Sequence, residues 1–114
     1  MTGLGEALTA LEAELTKTAV TVTLDPGNFT APSIVVEAPT VIAATQGGYT
    51  LEVPVVLAAA QPANRAALEW LLGKLPKVLE ACGSHTSSPG IYSPNGTINY
   101  PCYRTTATIT IRSI

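Results

Sequence analysis

Charge is what this chain has least of. Asp, Glu, Lys and Arg make up only 12% of its 114 residues, about half the usual share. The six bases are scattered and form no block. That excludes the basic stripe with which a protein tracks a phosphate backbone. The longest wholly apolar run, Val55–Ala60, has six residues, far short of the ~20 that a membrane-spanning helix needs. The N-terminus (MTGLGEALTALEAEL) carries acids where a secretory signal carries bases. It predicts a chain that stays in the cytosol. There, Cys82 and Cys102 are expected as free thiols. A disulfide between them is the alternative, since they flank one loop. Two Asn-x-Thr patterns, at Asn28 and Asn95, are read as chance matches without a secretory signal.

Material for catalysis is equally scarce. His85 is the single histidine and Asp25 the single aspartate. His85 could act as a base for Ser84 or Ser87, but no carboxylate stands near it and a loop does not hold triad geometry. One His and two distant Cys make a poor zinc set. Gly3-Leu4-Gly5 and Gly47-Gly48 form no phosphate loop. The reading is therefore no enzyme, with no catalytic, cofactor or metal residue and no cofactor.

What the chain does have is apolar patterning, at 46% hydrophobic residues. A chain of this length buries roughly two-thirds of its unfolded surface, so one domain over 1–114 forms a core unaided. With so little charge, the surface is rich in Thr, Ser and Ala. Such a surface is weakly defended against self-association, which suits an assembly subunit and equally an ordinary Thr-rich domain.

Leu4, Leu8, Leu11 and Leu15 make one stripe and predict a helix over 3–17. Residues 19–24 (AVTVTL) alternate as a half-buried strand, closed by the turn chemistry of Asp25-Pro26-Gly27-Asn28. Residues 33–37 and 40–44, parted by Pro39, read as two short strands or one bent one. Residues 49–57 alternate again. Pro54 donates no ladder hydrogen bond, which predicts an edge strand or a bulge. A second helix is predicted over 62–82. Its stripe is Leu68, Leu71, Leu72 and Leu75; Pro76 breaks or kinks it, and Gly83 stops it. Residues 84–101 are rich in Ser, Pro, Gly and Asn. Asn95-Gly96 signals a hairpin turn between Ile91-Tyr92 and Thr97-Ile98. Residues 102–112 form the last strand. The sum is an α+β domain: a mainly antiparallel sheet of four to five strands, two helices on one face, and an extended loop or β-arm before the last strand.

Trp70 lies off the main helical stripe. It is either an interface anchor or a side chain covered by the 84–101 segment.

The order of these elements resembles a known family. An amphipathic helix leads to a strand ending in Asp25-Pro26, then to the PSIVV strand. A Gly-Gly-Tyr turn opens the long YTLEVPVVLAA strand. The helix NRAALEWLLGKLPKVLEACG and the terminal YPCYRTTATITI strand follow. Over nearly the whole chain this is similar to the tail terminator (tail-completion, head–tail joining) proteins of long-tailed, siphovirus-type actinobacteriophages. The resemblance implies a six-fold ring on the end of the tail tube, stopping its polymerisation and meeting the head connector. Implied partners are copies of itself, the major tail tube protein and the connector protein, with DNA passing through the ring unread. It implies assembly in the host cytoplasm and a place in the virion neck. It also gives residues 84–101 a role, as an arm that reaches a neighbour by strand addition. Trp70, Ile91, Tyr92, Ile98 and Tyr100 are the candidate interface residues. The alternatives are another connector or minor tail protein of similar fold, or a small binding module gripping a peptide along strand 49–57.

Overall fold

The computed structural model describes residues 4–18, 20–23, 30–45, 47–60, 64–84, 86–93, 96 and 98–112. Its spine is the strand Gly48–Ala58, whose inward positions Leu51, Val53, Val55 and Leu57 are each no more than 1% exposed. In chain order the elements are α1 (Leu4–Thr16), β1 (Val22–Thr23), β2 (Ser33–Val36), β3 (Val41–Thr45), β4 (Gly48–Ala58), α2 (Arg65–Cys82), β5 (Ser88–Tyr92) and β6 (Tyr100–Arg112). The six strands form one sheet ordered β1-β2-β4-β6-β5, with β3 beside β4 on the β2 edge. All pairings are antiparallel except β1 with β2. The α+β class holds, with one strand more than the upper expectation because Ser88–Tyr92, within the expected loop or arm, forms β5.

The edge half of the proline expectation is corrected. The 49–57 strand is not at an edge: β4 pairs β6 along its whole length and β2 and β3 on its other side. Pro54 is tolerated because its missing donor falls at the break between β2 and β3. Val36 stands opposite Val55 and Val41 opposite Glu52, so the edge chain advances five residues while β4 advances three. The Glu37 N–H donates to the Pro54 carbonyl at 3.0 Å and the Thr40 N–H to the Glu52 carbonyl at 2.9 Å. Between them the ladder opens, and no second bond is required of residue 54.

Both helices pack on one face of the sheet. Ala7, Leu11 and Leu15 of α1 share one core cluster with Ile34, Val36, Val53, Val55, Leu57 and Ala107 of the sheet. Each such Leu or Val, fully buried, contributes roughly 1.5–3 kcal/mol. The predicted α2 stripe is out of phase. Ala67, Leu71, Leu75, Val78 and Cys82 are the buried positions, whereas Leu68 and Leu72 are 44% and 49% exposed.

The predicted break at Pro76 is also corrected, since α2 runs unbroken from Arg65 to Cys82. Pro76 is exposed, as is Leu72, whose carbonyl it leaves without a helical donor. The Asn64 side chain accepts from the Ala67 N–H at 3.0 Å, capping the N-terminus. Gly83, at φ 65°, closes the C-terminus. Its N–H donates to the Glu80 carbonyl at 3.2 Å and that of Ser84 to the Leu79 carbonyl at 3.0 Å, a Schellman cap. Pro62, expected in the first turn, lies outside the described residues.

Candidate functional site

The segment before the last strand is more regular than its composition predicts. Residues 88–92 form β5, and their partner is 100–104 of β6 rather than 97–98. The start of the segment is fastened to β6: Thr105 Oγ1 lies 2.7 Å from Ser84 Oγ and donates to the Thr86 carbonyl at 2.8 Å. At its other end, the Ser93 hydroxyl bonds the Asn99 side chain. His85, Pro94, Asn95 and Thr97 lie outside the described residues, as does Asp25.

The five expected interface residues separate. Ile91 is 62% exposed and Ile98 38%. Tyr92 is the correction: at 4% exposure it is packed with Val35, Val56, Ala58 and Cys102 on the sheet face opposite the helices, with Tyr100 half-buried against them. Pairing with Tyr100 turns Tyr92 onto that face, so it cannot anchor a partner. Trp70 is half-buried, packed against the helix-side core. It borders Pro32, Ala59 and Ala67, with Thr30 and Ala31 on its other side.

Beside Tyr92, Arg104 Nη1 reaches Glu37 Oε1 at 3.2 Å, across β4. Both groups are part-exposed, so the pair is worth ~0–1 kcal/mol. Burial raises the Tyr92 hydroxyl pKa; Glu37 adds to the rise and Arg104 opposes it. Burial also raises the Cys102 thiol, against the pull of Arg104. Burial alone pushes Cys82 up to about 11. Both thiols are free and buried. Cys82 belongs to the helix-side cluster and Cys102 to the cluster on the opposite face, so the sheet itself stands between them and the disulfide alternative is excluded. Neither thiol is poised as a nucleophile. Among the described residues no three His, Cys, Asp or Glu side chains converge as a metal site, and no helix is long and apolar enough to cross a membrane.

The distinctive surface is apolar and lies at two ends of one face. At one end Ile42 is 53% and Tyr49 42% exposed. Ile42 stands opposite buried Leu51, and Tyr49 opposite Ala44, so both belong to the helix face. α2 ends beside Thr105, which bonds Ser84 and stands opposite Val55; Ile42 and Tyr49 lie beyond that point along β4. At the other end, Leu68 and Leu71 wall a groove of about 220 Å³ with Pro89, Pro101 and Tyr103. Exposed Ile91 stands opposite Pro101 on the same face. Sequence reasoning missed Ile42, Tyr49, Leu68 and Leu72.

No family model, curated protein or solved structure matches this chain.

Proposed function

We propose that the chain is a tail terminator subunit of a long-tailed phage, a structural protein whose ring caps the tail tube. The ring ends tube polymerisation and joins the tail to the head connector, and DNA passes through it without sequence-specific contact. The observation that carries this reading is the division of exposed apolar side chains between two ends of one face, Ile42 and Tyr49 against Leu68, Leu72 and Ile91. Two separate patches on every copy suit head-to-tail contacts, and head-to-tail contacts that close make rings. The order of elements, with its long second helix and terminal strand, resembles the terminator family. The mechanism is binding geometry: a closed ring presents no free subunit face for the next tube layer. Its partners are copies of itself, the tube protein and the connector, and its place is the neck of the virion.

The test is immunogold labelling of virions and tail intermediates with an antibody against this chain. Label at the head-proximal end of the tail supports the proposal; label along the tube, on the capsid or nowhere contradicts it.

A second reading, a peptide-binding module, moves from β4 to β3. No described strand pairs the outer edge of Val41–Thr45, and this strand carries no charge to block strand addition. Such a module would be a monomer that binds an extended peptide and makes no ring.

A further inference from the structure

We infer that the outer edge of β6, from Thr106 to Arg112, pairs antiparallel with the same edge of a second copy, joining two sheets across a two-fold axis. The direction of the backbone groups carries this. The Pro54 carbonyl accepts from Glu37 and the Glu52 carbonyl from Thr40, so the even-numbered residues of β4 turn their polar groups toward β2 and β3. The odd-numbered ones therefore bond β6. They stand opposite Thr105, Ala107, Ile109 and Ile111, which leaves the N–H and C=O of Thr106, Thr108, Thr110 and Arg112 pointing away from β4. β5 pairs that side of β6 only over Tyr100–Arg104. Beyond it no described strand lies alongside.

The occupant is a second copy because the edge fits itself and is not guarded against itself. In the register that sets Ile109 opposite Ile109 of the second copy, Thr106 meets Arg112 and Thr108 meets Thr110, so every outward group of both edges is bonded. Shifted one way, Arg112 falls beside Arg104, where Ser88 already pairs; shifted the other way, Thr106 overruns the end of β6. Ile109 is half-buried on the helix face, and the pairing brings two such side chains together. On the other face, exposed Thr108 and Thr110 make cross-strand threonine pairs. The edge of β3 is no match, since there only Ile42 and Ala44 turn their backbone groups outward. An edge kept for a foreign strand still meets its own kind at every collision and needs a charge or a proline against it. β5 has Pro89 on its outer side; β6 has neither between Thr105 and Ile111.

This goes beyond the ring reading and does not rest on it; a ring of six that contains the contact is three pairs. The experiment is native mass spectrometry and sedimentation velocity on the full chain, on Thr108→Pro and on Ala44→Pro, with circular dichroism as the check on fold. Both substitutions remove an N–H that points out of the sheet, so neither breaks a bond within the subunit. The wild type is expected as pairs or as assemblies of even number. Thr108→Pro should weaken pairing about 100-fold or more, and Ala44→Pro should leave it unchanged. Should Thr108→Pro fail to fold, cross-linking decides. Ile109→Cys should oxidise to a disulfide-linked dimer, since facing residues of such a pair lie ~4.5 Å apart, and Thr106→Cys should not; the native thiols are buried. A wild type that stays monomeric, pairing that survives Thr108→Pro, loss of pairing in Ala44→Pro, or cross-linking in Thr106→Cys but not Ile109→Cys would overturn the inference. Rings that assemble unchanged in Thr108→Pro would overturn this contact and leave the ring reading standing. Pairs that form while label is absent from the tail end would do the reverse.

Discussion

Glu37 donates its backbone N–H to the carbonyl of Pro54 at 3.0 Å, and no bond returns, because proline has no N–H to give. This one-way pair lies in the middle of the sheet, where the β2 ladder ends and the β3 ladder has not begun. It lets a strand paired on both sides carry a proline. Pro54→Thr should therefore change stability by less than about 1 kcal/mol, since a restored N–H gains at most one modest hydrogen bond. Urea unfolding of the two proteins measures it. A loss of several kcal/mol would mean that the ring of Pro54, not the gap, holds this part of the sheet.

The phase of α2 makes a second prediction. Leu75→Ala, at 9% exposure, should cost about 2–4 kcal/mol through lost burial and a cavity. Leu72→Ala, at 49% exposure, should cost about 0.5 kcal/mol or less. Equal losses at the two sites in thermal unfolding would contradict the observed helix orientation.

The same residues show what the sequence held and what it hid. Strand alternation was legible: Leu51, Val53, Val55 and Leu57 are buried together, and Tyr103, Thr105, Ala107 and Ile109 share the helix face. The α1 stripe was legible at Leu11 and Leu15. The α2 phase was not, because four leucines outweigh one alanine in a periodicity, while the buried row runs through Ala67. Pro54 misled because a proline reports only its own missing donor, and the gap that excuses it is made by residues 37–40 of another strand. Tyr92 misled because Asn95-Gly96 marks a turn without fixing which residues pair across it. Of the expected interface residues, Ile91 and Ile98 are exposed, Trp70 and Tyr100 are half-buried, and Tyr92 is interior.

Two glycines on one helix should respond oppositely to the same change. Gly83 adopts φ 65° at the C-cap, so Gly83→Ala should cost about 1 kcal/mol. Gly73 sits inside α2, exposed, and a methyl group there meets nothing within 4 Å. Gly73→Ala should stabilise the protein by about 0.5–1 kcal/mol. Melting temperatures moving in the same direction would contradict this account of the helix end.

Burial of Cys82 links stability to alkaline pH. Its thiol is pushed up to about 11 from an ordinary value of 9.0. Between those values the unfolded chain releases this proton and the folded chain keeps it, so stability falls as pH rises through that window. The contribution is fully present below pH 9 and amounts to roughly 2–3 kcal/mol. Cys82→Ser should flatten the fall in urea midpoints between pH 9 and 11. An unchanged slope would contradict it. A thiol reagent at pH 8 should react with Cys82 and Cys102 only on unfolding.

A ring-forming subunit, as proposed, reveals itself in native mass spectrometry across a concentration series, with negative-stain images of the same samples. The expected result is a closed six-membered ring that replaces monomer as concentration rises and does not grow further. A chain that remains monomeric throughout, or that grows into open filaments without closing, would contradict it.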